Sequence, residues 1–316
     1  MHAHKGPSAE FAEPPLPDDD IDNQPASGSY RIRTLEIPAR PLEPALYLVS
    51  TPIGNLGDIT LRALETLAAA DLLAAEDTRV TRVLLDRFAI GKRPYAYHEY
   101  NANEVGPKLV AALAQGKSVA LVSDAGTPLV SDPGYRLVKD VLAAGFKVVP
   151  IPGPSSVVTA LSASGLPNDS FFFAGFLPQK EKARRDRLEE VARVPGTLIF
   201  FESPHRLPSS LADMALVLGD REAAVCRELT KAFEEFRRGT LTELAAHYAE
   251  NDNVKGEIVI CVGPPSAAAA PAGADLDDLL RKLLHDMPTA KAASEAARQT
   301  GLPRKNLYSR LLELKG

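Results

Sequence analysis

Five short polar segments each follow an apolar run, and they carry most of the residues that could do chemistry. They span residues 50–55 (STPIGN), 76–79 (EDTR), 123–128 (SDAGTP), 150–156 (PIPGPSS) and 202–206 (ESPHR). Their carboxylates and hydroxyls accept hydrogen bonds, and their glycines let backbone N–H groups approach a bound molecule closely. In open α/β sheets ligands bind beyond the carboxyl ends of the strands, so we expect these loops to line one site for a small polar ligand.

The segment at 123–128 is the most specific of the five. Asp124 is expected to contact the ligand, because it places a free carboxylate beside a glycine at a strand end. A second carboxylate follows at Asp132, which is expected to cap the helix that begins near Pro133. Residues 51–55 and 152–156 also surround a glycine with proline and polar groups, but a plain connection and simple helix capping are the alternatives there.

Two further positions carry groups suited to acid–base chemistry. Glu76 and Asp77 form a pair of carboxylates at a strand end, although Asp77 can simply begin a helix. His98 follows another apolar run, where it can act as a general base or as a structural hydrogen-bonding residue. Ser203 and His205 lie too close in sequence to form a nucleophile–base pair without a third partner.

The basic residues cluster in one place. Five positive charges fall within eight residues, at Lys180, Lys182, Arg184, Arg185 and Arg187. A solvated helix face and a phosphate-contact surface are both consistent with such a run. The formal net charge is −5, so any contact with nucleic acid must come from local patches of this kind.

Metal binding is not expected, because the six histidines and two cysteines show no ligand spacing. Cys226 and Cys261 each lie in a strand-like apolar run, which indicates reduced core residues and a cytoplasmic protein. No apolar stretch approaches the roughly 18 residues of a membrane span, and the first residues lack the apolar core of a secretory signal.

The elements that must position the loops alternate between strand and helix over about 220 residues, which predicts βαβ units, a mainly parallel sheet and an α/β fold. Two smaller α/β domains are expected, at 44–154 and 155–263, facing each other across a cleft. Residues 1–43 have few apolar anchors and are predicted to be disordered. A linker is predicted at 264–274, followed by a helical tail at 275–316 that resembles a helix-turn-helix and suits a helical cap, a dimer element or RNA contact.

Several of these segments closely resemble the ribosomal RNA small subunit methyltransferase I family. The resemblance rests on 46–60 (LYLVSTPIGNLGDIT), 75–79 (AEDTR), 121–128 (LVSDAGTP), 151–156 (IPGPSS), 201–206 (FESPHR), 228–235 (ELTKAFEE) and 238–241 (RGTL). These motifs occur in order over residues 45–263, and the helical tail is also similar to that of the family. The resemblance implies a tetrapyrrole-methylase type of S-adenosylmethionine-dependent enzyme, with the cofactor in the cleft between two α/β domains, and usually a homodimer.

The resemblance also implies the reaction, which is methyl transfer to the ribose 2′-hydroxyl of cytidine 1402 in the decoding centre of 16S rRNA, in the 30S ribosomal subunit. The cofactor-binding residues that it implies are Pro52, Ile53, Gly54, Asn55, Ser123, Asp124, Ala125, Gly126, Thr127, Pro128, Ser155 and Ser156. Because a 2′-hydroxyl is weakly acidic, a base or a nearby cation would help, and the candidates are Glu76, Asp77, His98, Glu202 and Lys231. The candidates for phosphate contacts are Arg79, Arg82, Lys180, Lys182, Arg184, Arg185 and Arg206, together with the rest of the basic run.

One departure from the family pattern concerns the loop after His98. Tyr100 stands where relatives often have a second histidine, which weakens a catalytic role for that loop. Two other functions remain open from the sequence: methylation of a tetrapyrrole carbon or a protein side chain by a related enzyme, and a non-enzymatic role in ribosome assembly. The basic run and the helical tail argue against the first, and the intact loop at 123–128 argues against the second.

Overall fold

The computed structural model describes residues 28–251, 254–265, 273–300 and 304–315. Over these residues the chain forms two compact units. The first contains the described residues up to Thr159 together with Leu229–Ala232, and the second contains Ala160–Glu228 and the described chain from Phe233 onward. The predicted boundary after residue 154 lies close to this division, whereas the return of residues 229–232 to the first unit has no counterpart in the prediction.

The first unit is built around a five-stranded sheet. Its elements are β1 (Ser29–Ile32), β2 (Leu35–Pro38), β3 (Leu46–Val49), α1 (Leu61–Ala69), β4 (Leu72–Ala75), α2 (Thr78–Arg87), β5 (Tyr95–Ala96), α3 (Ala102–Ala114), β6 (Val119–Val122), α4 (Tyr135–Ala143), β7 (Val148–Ile151) and the first turn of α5 (Ser156–Ser164). The strand order is β5-β4-β6-β3-β7, and every pair in it is parallel. This confirms the predicted parallel sheet for the first unit.

Local sequence explains most of these elements. The strands β4 and β6 are four-residue apolar runs buried at every position, as expected for the centre of a parallel sheet with both faces covered. Thr60 caps α1, because its side-chain oxygen accepts a 3.1 Å hydrogen bond from the backbone N–H of Ala63. Thr60 therefore fixes the start of α1.

Helices cover both faces of this sheet. On one face Leu64 and Leu67 of α1 and Leu85 of α2 pack with the strands, and they are almost fully buried. On the other face Leu113 of α3 and Leu137 of α4 do the same. The connections after β3 and after β6 therefore leave the sheet onto opposite faces.

The N-terminal segment departs from the prediction of disorder over residues 28–43. Here β1 and β2 form an antiparallel hairpin, and Tyr30, only 6% exposed, packs into the same core as α1. The backbone N–H of Arg31 donates a 2.7 Å hydrogen bond to the carbonyl oxygen of Phe88. The few apolar residues suffice because a distant part of the chain provides the surface that they cover; residues 1–27 lie outside the described residues.

The second unit contains a mixed sheet. Its elements are the rest of α5, β8 (Phe171–Phe176), α6 (Glu181–Val191), β9 (Thr197–Glu202), α7 (Leu207–Leu218), β10 (Glu222–Arg227), β11 (Glu235–Thr240), α8 (Leu241–Glu250), β12 (Ile258–Val262), α9 (Gly273–Asp286), α10 (Thr289–Thr300) and α11 (Arg304–Lys315). The strand order is β11-β10-β12-β9-β8, and only β8 and β9 pair in parallel. The prediction of a mainly parallel sheet is wrong for this unit, because alternation of strands and helices does not reveal strand direction.

The described C-terminal residues form three helices with their own apolar core. Leu280, Ala292, Ala296, Leu307 and Leu311 are each 0–1% exposed in it. Arg310 of α11 donates a 2.6 Å hydrogen bond to the Asp277 carboxylate of α9, which joins the first and last of these helices. The predicted tail is thus helical, with one more helix than expected. Most of the predicted linker, and residues 301–303 of the tail, lie outside the described residues.

Candidate functional site

The loops after β3 and β6 meet at a switch point of the first sheet. The two strands are parallel neighbours, and their connections leave onto opposite faces, through α1 and α4. In open α/β sheets the crevice formed in this way beyond the strand ends is the usual position of a ligand. Residues 50–55 and 123–128 lie at this crevice, as the sequence predicts.

Backbone and side-chain hydrogen bonds join these two loops to each other. The N–H of Thr51 donates to the carbonyl oxygen of Gly126 at 2.8 Å, and the N–H of Gly126 donates back to Thr51 at 3.1 Å. The hydroxyls of Ser50 and Thr127 lie 3.0 Å apart, and the Thr127 hydroxyl also lies 3.2 Å from the carbonyl oxygen of Pro154. The loop after β7 is therefore held in the same network, and the predicted segments at 50–55, 123–128 and 150–156 form one structure.

Glycine is required at position 126 of this network. Its φ of 82° lies in the left-handed region that side chains rarely adopt. A Cβ at this position would also lie 3.4 Å from Cγ2 of Ile53. The exchange of two backbone hydrogen bonds with Thr51 thus depends on a residue without a side chain.

Carboxylates gather beside this network at the ends of β4 and β6. The backbone N–H of Asp77 donates to Oδ1 of Asp124 at 2.9 Å, and the N–H of Asp124 lies 3.5 Å from Oε2 of Glu76. Burial raises the pKa of Glu76, and the negative charges of Asp132 and Asp124 raise it further. The pKa of Asp124 is raised as well, first by burial and then by the charge of Asp77.

Asp77 itself has a structural role. Its carboxylate accepts a 2.8 Å hydrogen bond from the backbone N–H of Arg79 and so caps α2, which confirms the helix-start interpretation of this residue. The Arg79 guanidinium also donates to it at 2.6 Å, and these hydrogen bonds lower the pKa of Asp77. A carboxylate held in this ionised, paired state is a weak proton acceptor.

Asp132 belongs to this cluster of carboxylates, although its sequence predicts a helix cap. The predicted helix cap is wrong, because α4 begins after Gly134 and has no side-chain cap. Burial raises the pKa of Asp132, against the opposing effect of its hydrogen bond with Ser123. The available signal was the near repetition of SDAG at 123–126 by SDPG at 131–134, which places a second carboxylate after the same strand.

His98 lies beyond β5, the outermost strand on this side of the sheet. Its backbone N–H donates to the Asn101 side chain at 2.9 Å, and Asn101 in turn donates to the carbonyl oxygen of Ala96 at 3.0 Å. The His98 ring packs edge-to-face on Tyr100 with the ring centres 6.0 Å apart. β4 separates this loop from β6, so His98 is further from the switch point than Glu76.

Glu202 lies in the second unit and is buried, with no exposed side-chain surface. It accepts a 2.8 Å hydrogen bond from the backbone N–H of Ser203 and one from the Ser210 hydroxyl. Nε of Arg206 lies 3.4 Å from it, and Nη2 of Arg206 donates to the carbonyl oxygen of Leu177 at 2.6 Å. These two predicted site residues hold the 203–206 turn in place, and such partners satisfy charges that burial would otherwise destabilise.

The basic run on α6 is largely paired within the second unit. The Arg184 side chain is 7% exposed and donates to Asp213 at 2.6 Å, so the prediction that it contacts phosphate is wrong. Arg185 shares Asp213 at 2.7 Å, and Lys182 pairs with Asp186 on the solvent side. Lys180 is exposed at the start of the helix. The run thus has a buried structural part and an exposed part.

The two cysteines are free thiols buried on the neighbouring strands β10 and β12. A hydrogen bond with Cys226, and then burial, raise the pKa of the Cys261 thiol. Among the described residues, no cluster of three or more histidine, cysteine or carboxylate side chains is arranged to hold a metal ion. In the same part of the chain, no helix combines the length and apolar character needed to cross a bilayer.

Comparison with known proteins identifies the family. The model of tetrapyrrole (corrin/porphyrin) methylases matches residues 45–245, and the RsmI C-terminal HTH domain matches residues 270–315. Ribosomal RNA small subunit methyltransferase I of Mesorhizobium japonicum is 66% identical over 281 residues, which cover 89% of this chain and 95% of the relative. The chain belongs to the ribosomal RNA small subunit methyltransferase I family.

Other comparisons agree with this membership. The enzyme of the same name from Erythrobacter litoralis is 53% identical over 277 residues, covering 88% of this chain and 98% of the relative. A crystal structure of diphthine synthase matches with a TM-score of 0.55 at 16% identity, covering 69% of this chain and 90% of that chain. At this identity the match concerns the fold alone; together with the family model over residues 45–245, it confirms the predicted tetrapyrrole-methylase-like α/β fold.

Proposed function

We propose that this protein transfers a methyl group from S-adenosylmethionine to the ribose 2′-hydroxyl of cytidine 1402 in 16S rRNA, in the 30S subunit. The observation that carries the proposal is the bonded network of the loops after β3, β6 and β7, in a chain that belongs to an rRNA methyltransferase family. A homodimer and a cytoplasmic location belong to the same proposal as expectations.

The residues at the switch point fit the cofactor by their chemistry. S-adenosylmethionine carries an ammonium group and ribose hydroxyls, which can donate hydrogen bonds to an exposed carboxylate such as that of Asp124. The backbone of residues 52–55 and 123–128 adds amide donors and acceptors, and Ile53 and Pro128 are buried apolar neighbours. We assign the cofactor to residues 52–55, 123–128 and 155–156 on this basis.

When bound, the cofactor supplies a methyl group already activated on a sulfonium centre, so the protein needs mainly to position the attacking hydroxyl. Held by residues 52–55, 123–128 and 155–156, the cofactor would give its methyl carbon to the ribose 2′-oxygen, and its sulfur would be the leaving group. The hydroxyl proton must then pass to a base, and we assign this role to Glu76. Its raised pKa suits proton acceptance near neutral pH better than the lowered pKa of Asp77 or the enclosed position of Glu202.

Contacts with the RNA backbone are assigned to the exposed cations among the candidates. Lys180 and Lys182 are exposed on the second unit, and Arg79 and Arg82 are exposed on α2 of the first. Lysine and arginine side chains bind phosphate through charge and fix the position of the RNA without reading its sequence. The target nucleotide must be splayed out of its surroundings for its ribose to reach the cofactor.

The experiment that tests this function is methyl transfer from radiolabelled S-adenosylmethionine to 30S subunits that lack the modification. We expect label in 16S rRNA with wild-type protein and a large loss of label with Asp124→Ala. A precorrin and total cell protein serve as competing acceptors. Label in either of those acceptors, with none in the rRNA, would replace this proposal with a related methyltransferase activity. Binding of 30S subunits without any cofactor binding would favour a role in assembly.

A further inference from the structure

The side chain of Lys231 lies directly over Gly54, in the loop assigned to the cofactor. A Cβ at position 54 would lie 2.4 Å from Cγ and 2.8 Å from Cε of Lys231, and 3.1 Å from the carbonyl oxygen of Leu229. The two distances to Lys231 are shorter than a contact between carbon atoms allows, so the lysine stem occupies the space that a side chain at position 54 would need. Both residues belong to the first unit.

The backbone just before Lys231 is strained. Glu228 has a φ of 52° and Thr230 a φ of 64°, and both adopt a left-handed conformation without being glycine. Such conformations persist only where the surrounding structure imposes them, and they concentrate at functional sites. Here Leu229 is buried, and the N–H of Glu228 donates to the carbonyl oxygen of Glu257 at 2.9 Å. The segment is therefore anchored at the first strained residue and between the two.

The loop that Lys231 covers is fixed at its two ends but not at Gly54. Thr51 is bonded to Gly126 before it, and the Asn55 side chain accepts a 3.0 Å hydrogen bond from the N–H of Gly57 after it. Gly54 itself has a φ of 152°, which a residue with a side chain rarely adopts. The apolar stem of a lysine packed on this glycine restricts the most permissive position of the loop.

We infer that Lys231 is a positioning residue for the cofactor, and that its methylene stem, packed on Gly54, holds residues 52–55 in the conformation that binds S-adenosylmethionine. This inference rests on the proposed function. It assigns the effect on cofactor affinity to the stem, whereas a direct role of the ammonium group would make the charge essential.

Two substitutions at position 231 separate these roles. Lys231→Met keeps an unbranched stem and removes the charge, whereas Lys231→Ala removes both. For Lys231→Ala we expect the Kd for S-adenosylmethionine, from isothermal titration calorimetry on the full chain, to rise about tenfold or more, because ordering the loop then opposes binding. For Lys231→Met we expect a Kd within about threefold of wild type, because the stem is preserved.

A second measurement needs no cofactor. Hydrogen exchange of the backbone amides at 54–57 should accelerate in Lys231→Ala and not in Lys231→Met, since only the former frees the loop. Lys147→Ala is the control, because Lys147 is an exposed lysine of the same unit, 74% exposed and paired with Glu43 at 3.1 Å. It should change neither the Kd nor the exchange.

A double mutant tests the contact itself. Gly54→Ala should weaken cofactor binding, and Gly54→Ala combined with Lys231→Ala should weaken it by less than the product of the two single effects, because removing the stem relieves the clash. Equal Kd values for wild type and Lys231→Ala would overturn the inference, and so would a Kd for Lys231→Met as high as that for Lys231→Ala. A different result would contradict the proposed function: wild-type protein that does not bind the cofactor or does not methylate 30S subunits.

Discussion

The backbone N–H of Asp77 donates a 2.9 Å hydrogen bond to the carboxylate of Asp124, and this bond joins the loops that follow the neighbouring strands β4 and β6. The side chain of Asp77 also caps α2, so the start of a helix and the orientation of a candidate cofactor ligand depend on one residue. Glu76, adjacent to Asp77, is brought to the same place. The chemistry proposed for this protein follows from that arrangement of carboxylates around the switch point.

Replacement of Asp124 tests the assignment of the cofactor. Asp124→Asn keeps the shape of the side chain and its capacity to accept from Asp77, but it removes the charge. Hydrogen bonds to charged groups contribute about 1.5–3 kcal/mol, so we expect the Kd for S-adenosylmethionine to rise about tenfold or more in calorimetric titration. Asp86→Asn, at an exposed position of α2, is the matched control. Unchanged affinity in Asp124→Asn would remove this residue from the cofactor site.

The pH dependence of methyl transfer tests the proton acceptor. Glu76 must be ionised to accept a proton, so the single-turnover rate should rise with pH through its pKa. Burial and the charges of Asp132 and Asp124 raise that pKa, which places the rise at a higher pH than for an ordinary carboxylate.

Glu76→Gln is the variant that completes this test. It should transfer methyl groups about 100-fold more slowly or worse, as for loss of a general base, and should lose the acid limb attributed to Glu76. The rate is measured at saturating cofactor, which separates this effect from weaker binding. A Glu76→Gln enzyme with an unchanged rate and pH profile would show that positioning alone accounts for the reaction.

The same substitution should stabilise the fold at neutral pH. A carboxylate whose pKa is raised by folding contributes stability below its unfolded-state pKa and loses that contribution as the pH rises through the folded-state pKa. Glu76→Gln should therefore raise Tm above pH 7, by an increment that shrinks on acidification, when the protonated glutamate resembles glutamine. Thermal unfolding at a series of pH values measures this, and a lower Tm for the variant at alkaline pH would contradict it.

The buried pair between Arg184 and Asp213 should matter for stability rather than for RNA binding. Their side chains are 7% and 5% exposed, and removal of one partner of such a pair typically costs about 3–5 kcal/mol. Arg184→Ala should lower the free energy of unfolding by that order in denaturant titration. Lys182→Ala, which breaks an exposed pair with Asp186, should change it by no more than about 1 kcal/mol. A stable Arg184→Ala protein that fails to bind 30S subunits would restore the phosphate-contact role.

The sequence predicted the first unit well because its signals are local. Apolar runs such as 119–122 followed by glycine and proline indicate buried parallel strands with functional loops, and Thr60 marks the start of α1. The direction of β10 and β12 was not predictable in this way, since pairing partners far apart in sequence decide it. The burial of Arg184 against Asp213 was not predictable either, because the two residues lie on different helices.

The candidate site shows the same division. The cofactor loops could be predicted from their own residues. The effect of Asp132 on the pKa of Glu76 could not, because it requires that the ends of β4 and β6 lie side by side. The contact of Lys231 with Gly54 was not predictable either, because residues 229–232 belong to the first unit although they are far from it in sequence. The spacing of residues along the sequence does not predict such contacts.

The position of the transferred methyl group decides whether this protein is a ribose 2′-O-methyltransferase of 16S rRNA. Unmodified 30S subunits are incubated with the protein and labelled S-adenosylmethionine, and the rRNA is then digested and analysed by mass spectrometry. We expect one methyl group per subunit, on the ribose 2′-oxygen of cytidine 1402, and none with Asp124→Ala. A methyl group on a base, on a different nucleotide, or on no part of the rRNA would contradict it.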